Sequence, residues 1–198
     1  MTPSLHFYVN MRKDKEYIEK YRSIFEKILG KKEFNRYMKK AEKITLETLK
    51  KEMEKIENNW RKKEKKFFKV MKEEFGKWRR KLYFCHISST YVCGGGYEYP
   101  TIIVFPFSEH VDPLHTIMHE LIHLHLIEDM KRLSIKPKNY FEFAEIGVAI
   151  MSKKIRDNFD IPILFPDKKI ERKFIKIEDK IQKIKKWEEK LNFLARIL

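Results

Sequence analysis

Cysteine is nearly absent from this sequence of 198 residues, which contains only Cys85 and Cys93. Two cysteines cannot build the disulfide framework of a small secreted domain, so a packed core must hold the chain together. The two thiols would pair only if their strands were neighbours. We expect two free thiols in a reducing compartment instead.

Targeting and membrane signals are also missing. The N-terminal segment MTPSLHFYVN lacks the basic-then-apolar layout of a signal peptide, and no apolar run approaches the roughly 20 residues that cross a bilayer. We therefore expect a cytoplasmic protein with no membrane partner. Glutamine occurs once, at Gln182, while Lys, Glu and Ile abound. That usage is typical of thermophiles and also of genomes poor in G and C.

Acidic residues are few compared with basic ones, and the formal net charge is +15. Residues 11–81 carry 26 Lys and Arg against 13 Asp and Glu, residues 168–198 carry 11 against 5, and residues 82–167 carry 7 against 11. A basic surface attracts nucleic acid, anionic lipid or acidic protein. Lysine-rich helices with solvated faces are the simpler explanation of the same excess.

Glycine and proline are absent between Lys31 and Phe75, and apolar residues recur there at helical spacing. A single helix of this size would extend roughly 70 Å at about 1.5 Å per residue. The pattern therefore favours a long helical hairpin or a broken helix within 11–81, with Asn58-Asn59 as the only plausible turn, after a first helix from Asp14 to Leu29 that stops at Gly30. The segment Leu5–Val9 is short, aromatic and branched, which predicts a strand.

Strand patterns dominate the next part of the chain. The segment LYFCHISSTYVC, from Leu82, predicts a strand or a strand pair, Gly94–Gly96 predicts a turn, and Thr101–Phe107 predicts another strand. This last strand is either an edge strand, to which an extended peptide adds by main-chain hydrogen bonds, or a central core strand. The chain is thus predicted to be α+β, with a small sheet of about three strands.

Helical patterns follow the sheet. One helix begins at Asp112-Pro113, with Asp as N-cap and Pro in the first turn, and ends near Arg132. A second begins with a capping box formed by Asn139 and Glu142. An amphipathic pattern then predicts one C-terminal helix over 168–198.

These patterns predict three parts. Residues 1–10 and 82–167 form a catalytic core in which the sheet packs on the two helices that follow it. Residues 11–81 form a helical insertion, and residues 168–198 form a C-terminal helix. Both attachments are long and basic.

The sequence HELIH, from His119 to His123, contains candidate metal ligands and a candidate catalytic residue. Two histidines four residues apart lie on one helix face, so their ring nitrogens converge on a single ion. Glu120 points roughly 100° away and reaches a water on that ion. Zinc lowers the pKa of such a water toward roughly 7, and a carboxylate then takes its proton as the water attacks a carbonyl. We predict Zn²⁺ bound by both histidines, with Glu120 as general base.

A catalytic zinc normally takes three protein ligands, and no histidine follows His125 to complete an extended HExxHxxGxxH pattern. Two carboxylates in the following helix are candidates. Glu142 already has a role in the capping box with Asn139. Glu145 interrupts an apolar run, where a carboxylate without a partner is costly to bury. The sequence therefore favours Glu145 as third ligand, with Glu142 as the alternate.

An HExxH helix followed by a glutamate helix resembles the gluzincin metallopeptidases, and the short core resembles the archaeal minigluzincins. The resemblance covers residues 82–155 and the first strand. It implies zinc, peptide-bond hydrolysis, a small sheet whose edge strand lines the cleft and, in some members, latency from a segment folded over the active site. Glu142 fits the ligand spacing of the aminopeptidase branch. The GxMEN sequence of that branch is absent, so nothing supports aminopeptidase activity.

Supporting residues are harder to assign. A peptidase needs a donor for the developing oxyanion, and the candidates are His115, Tyr140, His110 and Tyr97. Four other residues have weaker claims on a metal than Glu145 and Glu142: His125, Asp129, Asp157 and Asp160. His125 lies on the far side of the helix from His123, and Asp129 lies too far along it.

Three functions compete. The first is a zinc peptidase acting on peptides or unfolded proteins, with latency if its basic helices cover an acidic core. The second is a protease that binds nucleic acid weakly through basic helices carrying Trp60, Trp78, Phe67 and Phe68, although these rings fall mainly on the apolar stripe. The third is a helical interaction protein in which zinc is structural or absent.

Overall fold

The computed structural model describes residues 2–90, 95–107, 111–159, 163 and 165–198, without the side chain at position 28. The protein is α+β, as predicted. Seven helices and one mixed four-stranded sheet are present in these residues. The predicted packing of the sheet on the two following helices remains a prediction, as do the three predicted parts.

The sheet has one strand more than expected. It consists of β1 (Ser4–Tyr8), β2 (Leu82–Ile87), β3 (Gly95–Glu98) and β4 (Thr101–Val104) in the order β1-β2-β4-β3. The pairs β1–β2 and β2–β4 are parallel, and β3 runs antiparallel to β4. β4 is therefore a central strand, which decides between the two alternatives for this segment. β3 occupies an edge of the sheet.

The predicted turn at Gly94–Gly96 is wrong at Gly95 and Gly96, which belong to β3. A Cβ atom on Gly95 would lie 2.5 Å from the carbonyl oxygen of Ile103 and 2.3 Å from Cγ2 of Thr116. Glycine is therefore required here by a close approach within a strand. A glycine run alone does not distinguish that role from a turn.

This part of the chain forms three helices: α1 (Met11–Leu29), which ends before Gly30 as predicted, α2 (Lys31–Ala41) and α3 (Leu46–Phe75). α3 runs straight through Asn58-Asn59, so the predicted turn there is wrong. The buried stripe continues unbroken from Ile56 to Trp60, and burial outweighs the poor helix propensity of two exposed asparagines. The chain turns at Gly30, which has φ +80°, and before Leu46.

The C-terminal half contains α4 (Pro113–Arg132), α5 (Tyr140–Phe159), α6 (Lys168–Gln182) and α7 (Trp187–Ile197). The single helix predicted for 168–198 is thus two helices, separated after Gln182. Neither glycine nor proline marks this break. The Trp187 indole donates to a buried Asp129 carboxylate at 2.8 Å, so tertiary contacts fix where α7 begins.

The chain forms two compact units whose boundaries fall inside α3 and α4. The first comprises Met1–Lys66 and Arg80–Glu120, and the second comprises Phe67–Arg79 and Leu121–Leu198. The first unit contains the sheet, and one of its core clusters packs α1 and α2 residues with the end of β4. Its buried members are Ile18, Phe25, Phe34, Ile103 and Phe105.

The second unit has an aromatic core of its own. Phe67 contacts Phe159 edge to face, with ring centroids 5.6 Å apart, and Trp78 contacts His125 in the same way at 4.6 Å. Trp60 in the first unit is fully buried, as are Phe67 and Phe68 in the second. These three rings are core residues and are not available to stack on nucleic acid.

Cys85 lies in the middle of β2 as a fully buried free thiol. Burial in the sheet is the main reason why the pKa of this thiol is well above its ordinary value. Cys93 lies outside the described residues. No described helix combines the length and the apolar run needed to cross a bilayer.

Candidate metal centre

The candidate site begins with the cap of α4. The backbone N–H of Leu114 donates to Oδ1 of Asp112 at 2.7 Å, and the N–H of Thr116 donates to the Asp112 carbonyl at 3.0 Å. This cap starts the helix at Pro113, as predicted. The helix then continues without a break through His119 and His123, so helical geometry alone places the two rings one turn apart on one face.

One metal-binding combination is found among the described residues: His119, His123 and Glu145. Each offers one ligand atom, and the three atoms lie within 4.8 Å of one another. Within the second unit, Nε2 of His123 is 3.6 Å from Oε1 of Glu145. Two imidazoles and a carboxylate form a donor set that divalent first-row ions accept, so the residues fit a metal.

Electrostatics at the site favour a cation. Burial lowers the pKa of His119 to about 4, so its imidazole is neutral at pH 7 and has a lone pair to donate. Burial, together with repulsion from Asp167, raises the pKa of Glu145 to about 7. The chain itself therefore provides too little positive charge to stabilise an anionic Glu145, and a bound cation would supply that charge.

Glu120 follows His119 directly and is buried, with 7% of its surface exposed. Its Oε1 atom would lie 3.4 Å from a Cβ on Gly95. A side chain on the edge strand β3 at this position would therefore be in van der Waals contact with the carboxylate, inside the first unit. A side chain at Gly95 would fill the space beside Oε1.

Glu142, the alternate ligand, lies in a different environment. Its N–H donates to Oδ1 of Asn139 at 3.1 Å, which is one half of the predicted capping box. Its carboxylate pairs with Lys173 and, at 3.2 Å, with Lys169. A hydrogen bond from Lys173 is the main reason why the pKa of Glu142 is below its ordinary value. The structure therefore provides Glu142 with cationic partners and groups Glu145 with the histidines.

Two residues with weaker claims form a buried polar cluster in the second unit. Nε2 of His125 lies 3.4 Å from the Phe75 carbonyl and 3.6 Å from Oδ2 of Asp129. Burial lowers the pKa of His125. Asp129 also accepts hydrogen bonds from Trp187 at 2.8 Å and from Arg132. These contacts account for both residues without a metal.

The remaining candidates are scattered. His115 is half-buried on α4, Tyr97 is half-buried on β3, and Tyr140 is 45% exposed at the start of α5. Asp157 is exposed on α5. His110 and Asp160 lie outside the described residues. Neither His115 nor Asp157 belongs to the metal-binding combination, and the oxyanion role of His115, Tyr97 and Tyr140 stays a prediction.

Sequence reasoning missed the pair formed by Asp14 and His86. Nε2 of His86 lies 3.0 Å from Oδ1 of Asp14, and both side chains are almost completely buried. The two residues lie 72 positions apart and belong to no local motif, so their pairing depends on how α1 crosses the sheet. The only signal is an aspartate at an inward-facing position of an amphipathic helix.

Comparison of the chain with protein-family models, curated proteins and solved structures gives no match. The chemistry inferred for the site therefore depends on the residues described above.

Proposed function

We propose that this protein is a zinc-dependent metallopeptidase that hydrolyses peptide bonds, with His119, His123 and Glu145 as metal ligands and Glu120 as general base. The observation that carries the proposal is the convergence of three ligand atoms within 4.8 Å. The neutral histidine and the poorly compensated carboxylate support it.

Zinc, when bound, would supply a Lewis acid that polarises a carbonyl group and acidifies water. The chain's own contribution is to fix the ligands on α4 and α5 and to place a proton acceptor beside them. Glu120 accepts a proton from the attacking water at its carboxylate and returns it to the leaving amine. Its burial limits the solvent around this carboxylate.

The position of β3 supports a peptide substrate. β3 lies at an edge of the described sheet, and its first residue, Gly95, lies beside Glu120. An extended peptide that paired with this edge through main-chain hydrogen bonds would pass next to the proton acceptor. Unfolded proteins and flexible peptides are therefore the expected substrates.

The first test separates metal binding from hydrolysis. Purified protein should contain about one zinc per chain by elemental mass spectrometry, and it should cleave fluorescently labelled casein. Glu120→Gln should keep its zinc and lose at least roughly 100-fold in rate, because it removes the proton acceptor alone. A variant that binds zinc and cleaves casein like the wild type would overturn the proposal and favour a structural metal.

The second test decides the third ligand. Glu145→Gln should weaken zinc affinity by more than roughly 100-fold, the upper range for residues that only support a ligand. Glu142→Gln is a matched control three residues earlier on α5 and should leave affinity within about tenfold. Titration against a chromogenic chelator measures both. The reverse order would assign the site to Glu142.

A further inference from the structure

A groove lies in the second unit, between the C-terminal half of α4, the connector that follows it and the start of α5. Its volume is about 560 Å³, within the range of ligand sites. We call it the α4–α5 groove. None of its lining residues is a proposed metal ligand or the proposed general base. The lining includes Ile127, Met130, Lys131, Ile135, Lys136 and Tyr140.

The wall of the groove on α4 continues the helix face that carries the metal ligand His123. Ile127 and Met130 follow His123 at spacings of four and seven residues, so all three side chains lie on one side of the helix. At about 1.5 Å per residue, the two apolar residues lie about 6 and about 10 Å beyond His123 along the helix axis. The groove therefore begins one helical turn from the candidate metal centre.

The connector folds back onto α4 and closes the far end of the groove. The N–H of Ile135 donates to the Met130 carbonyl at 2.9 Å, and Ser134 has φ +54°. This is the pattern of a helix C-cap in which an apolar residue after the helix packs on its last turn. Ile135 is 9% exposed. Backbone hydrogen bonds thus fix the apolar floor of the groove.

Large aromatic side chains are exposed where α5 begins. Tyr140, which lines the groove, is 45% exposed, and Phe141 is 53% exposed. Phe141 lies four residues before Glu145, on the same face of α5. Two adjacent exposed rings beside an apolar groove are typical of a contact surface. This apolar surface lies one turn from a metal ligand on α5, as the groove does on α4.

The rim of the groove is cationic. Lys131 and Lys136 are both exposed, and no acidic residue is among the described residues that line the groove. An apolar floor with a cationic rim is complementary to a segment in which an apolar side chain stands next to an acidic one. A basic segment would be repelled by the same rim.

We propose that the α4–α5 groove selects the substrates of this protein, an inference that rests on the proposed peptidase activity. The groove takes an apolar side chain that lies two or three residues from the scissile bond, with an acidic residue next to it. An extended peptide advances about 3.3 Å per residue. Two or three residues therefore span the distance of about 6 to 10 Å from the metal ligand His123 to the groove. The substrate class is unfolded segments of acidic and apolar sequence.

Competition between short peptides in one reaction tests this selection. Three synthetic peptides contain Glu-Phe-Glu, Glu-Ala-Glu or Lys-Phe-Lys in the same background of glycine, serine and alanine. Their relative cleavage rates, measured by mass spectrometry, give the ratio of their kcat/KM values, which does not depend on how much protein is active. The Glu-Phe-Glu peptide should be cleaved about 10-fold faster than Glu-Ala-Glu and about 3-fold faster than Lys-Phe-Lys. Cleavage should fall two or three residues from the phenylalanine.

Two exposed lysines of the connector provide a matched pair of variants. Lys136→Glu should remove the preference for Glu-Phe-Glu over Lys-Phe-Lys, because it reverses one charge at the rim. Lys138→Glu introduces the same charge outside the lining and should keep the wild-type ratio. Ile127→Ala should lower the preference for phenylalanine over alanine several-fold. Because each result is a ratio within one sample, partial misfolding of a variant does not alter it.

The outcomes separate this inference from the proposed function. Equal cleavage of the three peptides, or equal effects of Lys136→Glu and Lys138→Glu, would exclude the groove as a selecting subsite and leave the peptidase proposal intact. Cleavage at bonds unrelated to the position of the phenylalanine would do the same. If zinc-loaded protein cleaves neither casein nor any of the peptides, the peptidase proposal is wrong, and the selecting role of the groove is wrong with it.

Discussion

Two glutamates three residues apart on α5 show how surroundings decide the role of a residue. Glu142 is held by Lys169 and Lys173, whereas burial and Asp167 raise the pKa of Glu145 to about 7. The same carboxyl group is stabilised as an anion at one position and destabilised at the other. Only Glu145, which lies beside the histidines, would be stabilised by a bound cation.

Asp14 allows a prediction about acid stability. Burial acts to raise the pKa of Asp14, but hydrogen bonds from His86 and the Ser89 N–H outweigh it, and the pKa lies below its ordinary value. A folded-state pKa below the unfolded value of about 3.9 means that the ionised group stabilises the fold above that pH. This stabilisation is lost as the pH falls through the folded-state value.

Urea unfolding of the wild type and Asp14→Asn measures this contribution. At pH 6 the variant should be less stable by about 1–3 kcal/mol, because the buried His86 nitrogen loses its partner. The difference should shrink as the pH falls below about 4, through the lowered pKa of Asp14. Glu16→Gln, an exposed neighbour on α1, should differ little from the wild type at any pH. A stability difference between Asp14→Asn and the wild type that stays constant with pH would contradict the lowered pKa of Asp14.

At the scale of elements, β3 depends on a single glycine. A Cβ on Gly95 would approach the Ile103 carbonyl to 2.5 Å, and that oxygen belongs to the backbone of β4. The clash cannot be relieved by rotating a side chain. Gly95→Ala should therefore displace β3 from Thr116 and the helix turn that ends at Glu120.

We expect Gly95→Ala to lower stability by about 1–3 kcal/mol, as other overpacking substitutions do, and to reduce casein cleavage by at least tenfold with the zinc content unchanged. Gly96→Ala is the matched control. Its Cβ would meet only the far end of the Tyr17 side chain, with the hydroxyl at 2.6 Å, and that side chain can move. Thermal unfolding, zinc analysis and the casein assay distinguish the two. Equal effects of both substitutions would argue against the contact at Gly95.

The helices also show which parts of the fold can be predicted from the sequence. Helix α4 was predictable because Asp112 and Pro113 mark its start and the histidine spacing matches a helix. Glu145 stood out as a carboxylate inside an apolar run. The break after Gln182 and the continuity of α3 through Asn58-Asn59 were not predictable, since tertiary burial fixes both and no local residue signals either.

At the scale of the whole molecule, positive charge is unevenly distributed along the chain. Residues 168–198 are strongly basic, and α6 uses Lys169 and Lys173 to hold Glu142 on α5. Asp167, which caps α6 at its N-terminus, is also close enough to influence Glu145. If the C-terminal segment makes the protein latent, as the sequence analysis suggested, these contacts are the ones that would hold α6 in place.

Lys173→Glu tests this idea, because it places like charges opposite Glu142 without removing a buried apolar residue. If α6 restrains the proposed peptidase activity, casein cleavage should rise several-fold while the zinc content stays the same. Lys180→Glu introduces the same charge on an exposed part of α6 and should leave the rate unchanged. A Lys173→Glu variant with unchanged or lower activity would remove α6 as a regulatory segment.

The buried thiol of Cys85 has a practical consequence. Its sulfur is inaccessible in the folded sheet, and the raised pKa leaves almost no thiolate to react. Alkylation at this position, followed by peptide mass mapping, therefore proceeds only through transient opening of the strands around β2. The rate of labelling therefore measures how often the strands around β2 open in the unit that contains Glu120. The measurement can be made in native buffer, with the protein's own cysteine as the reporter.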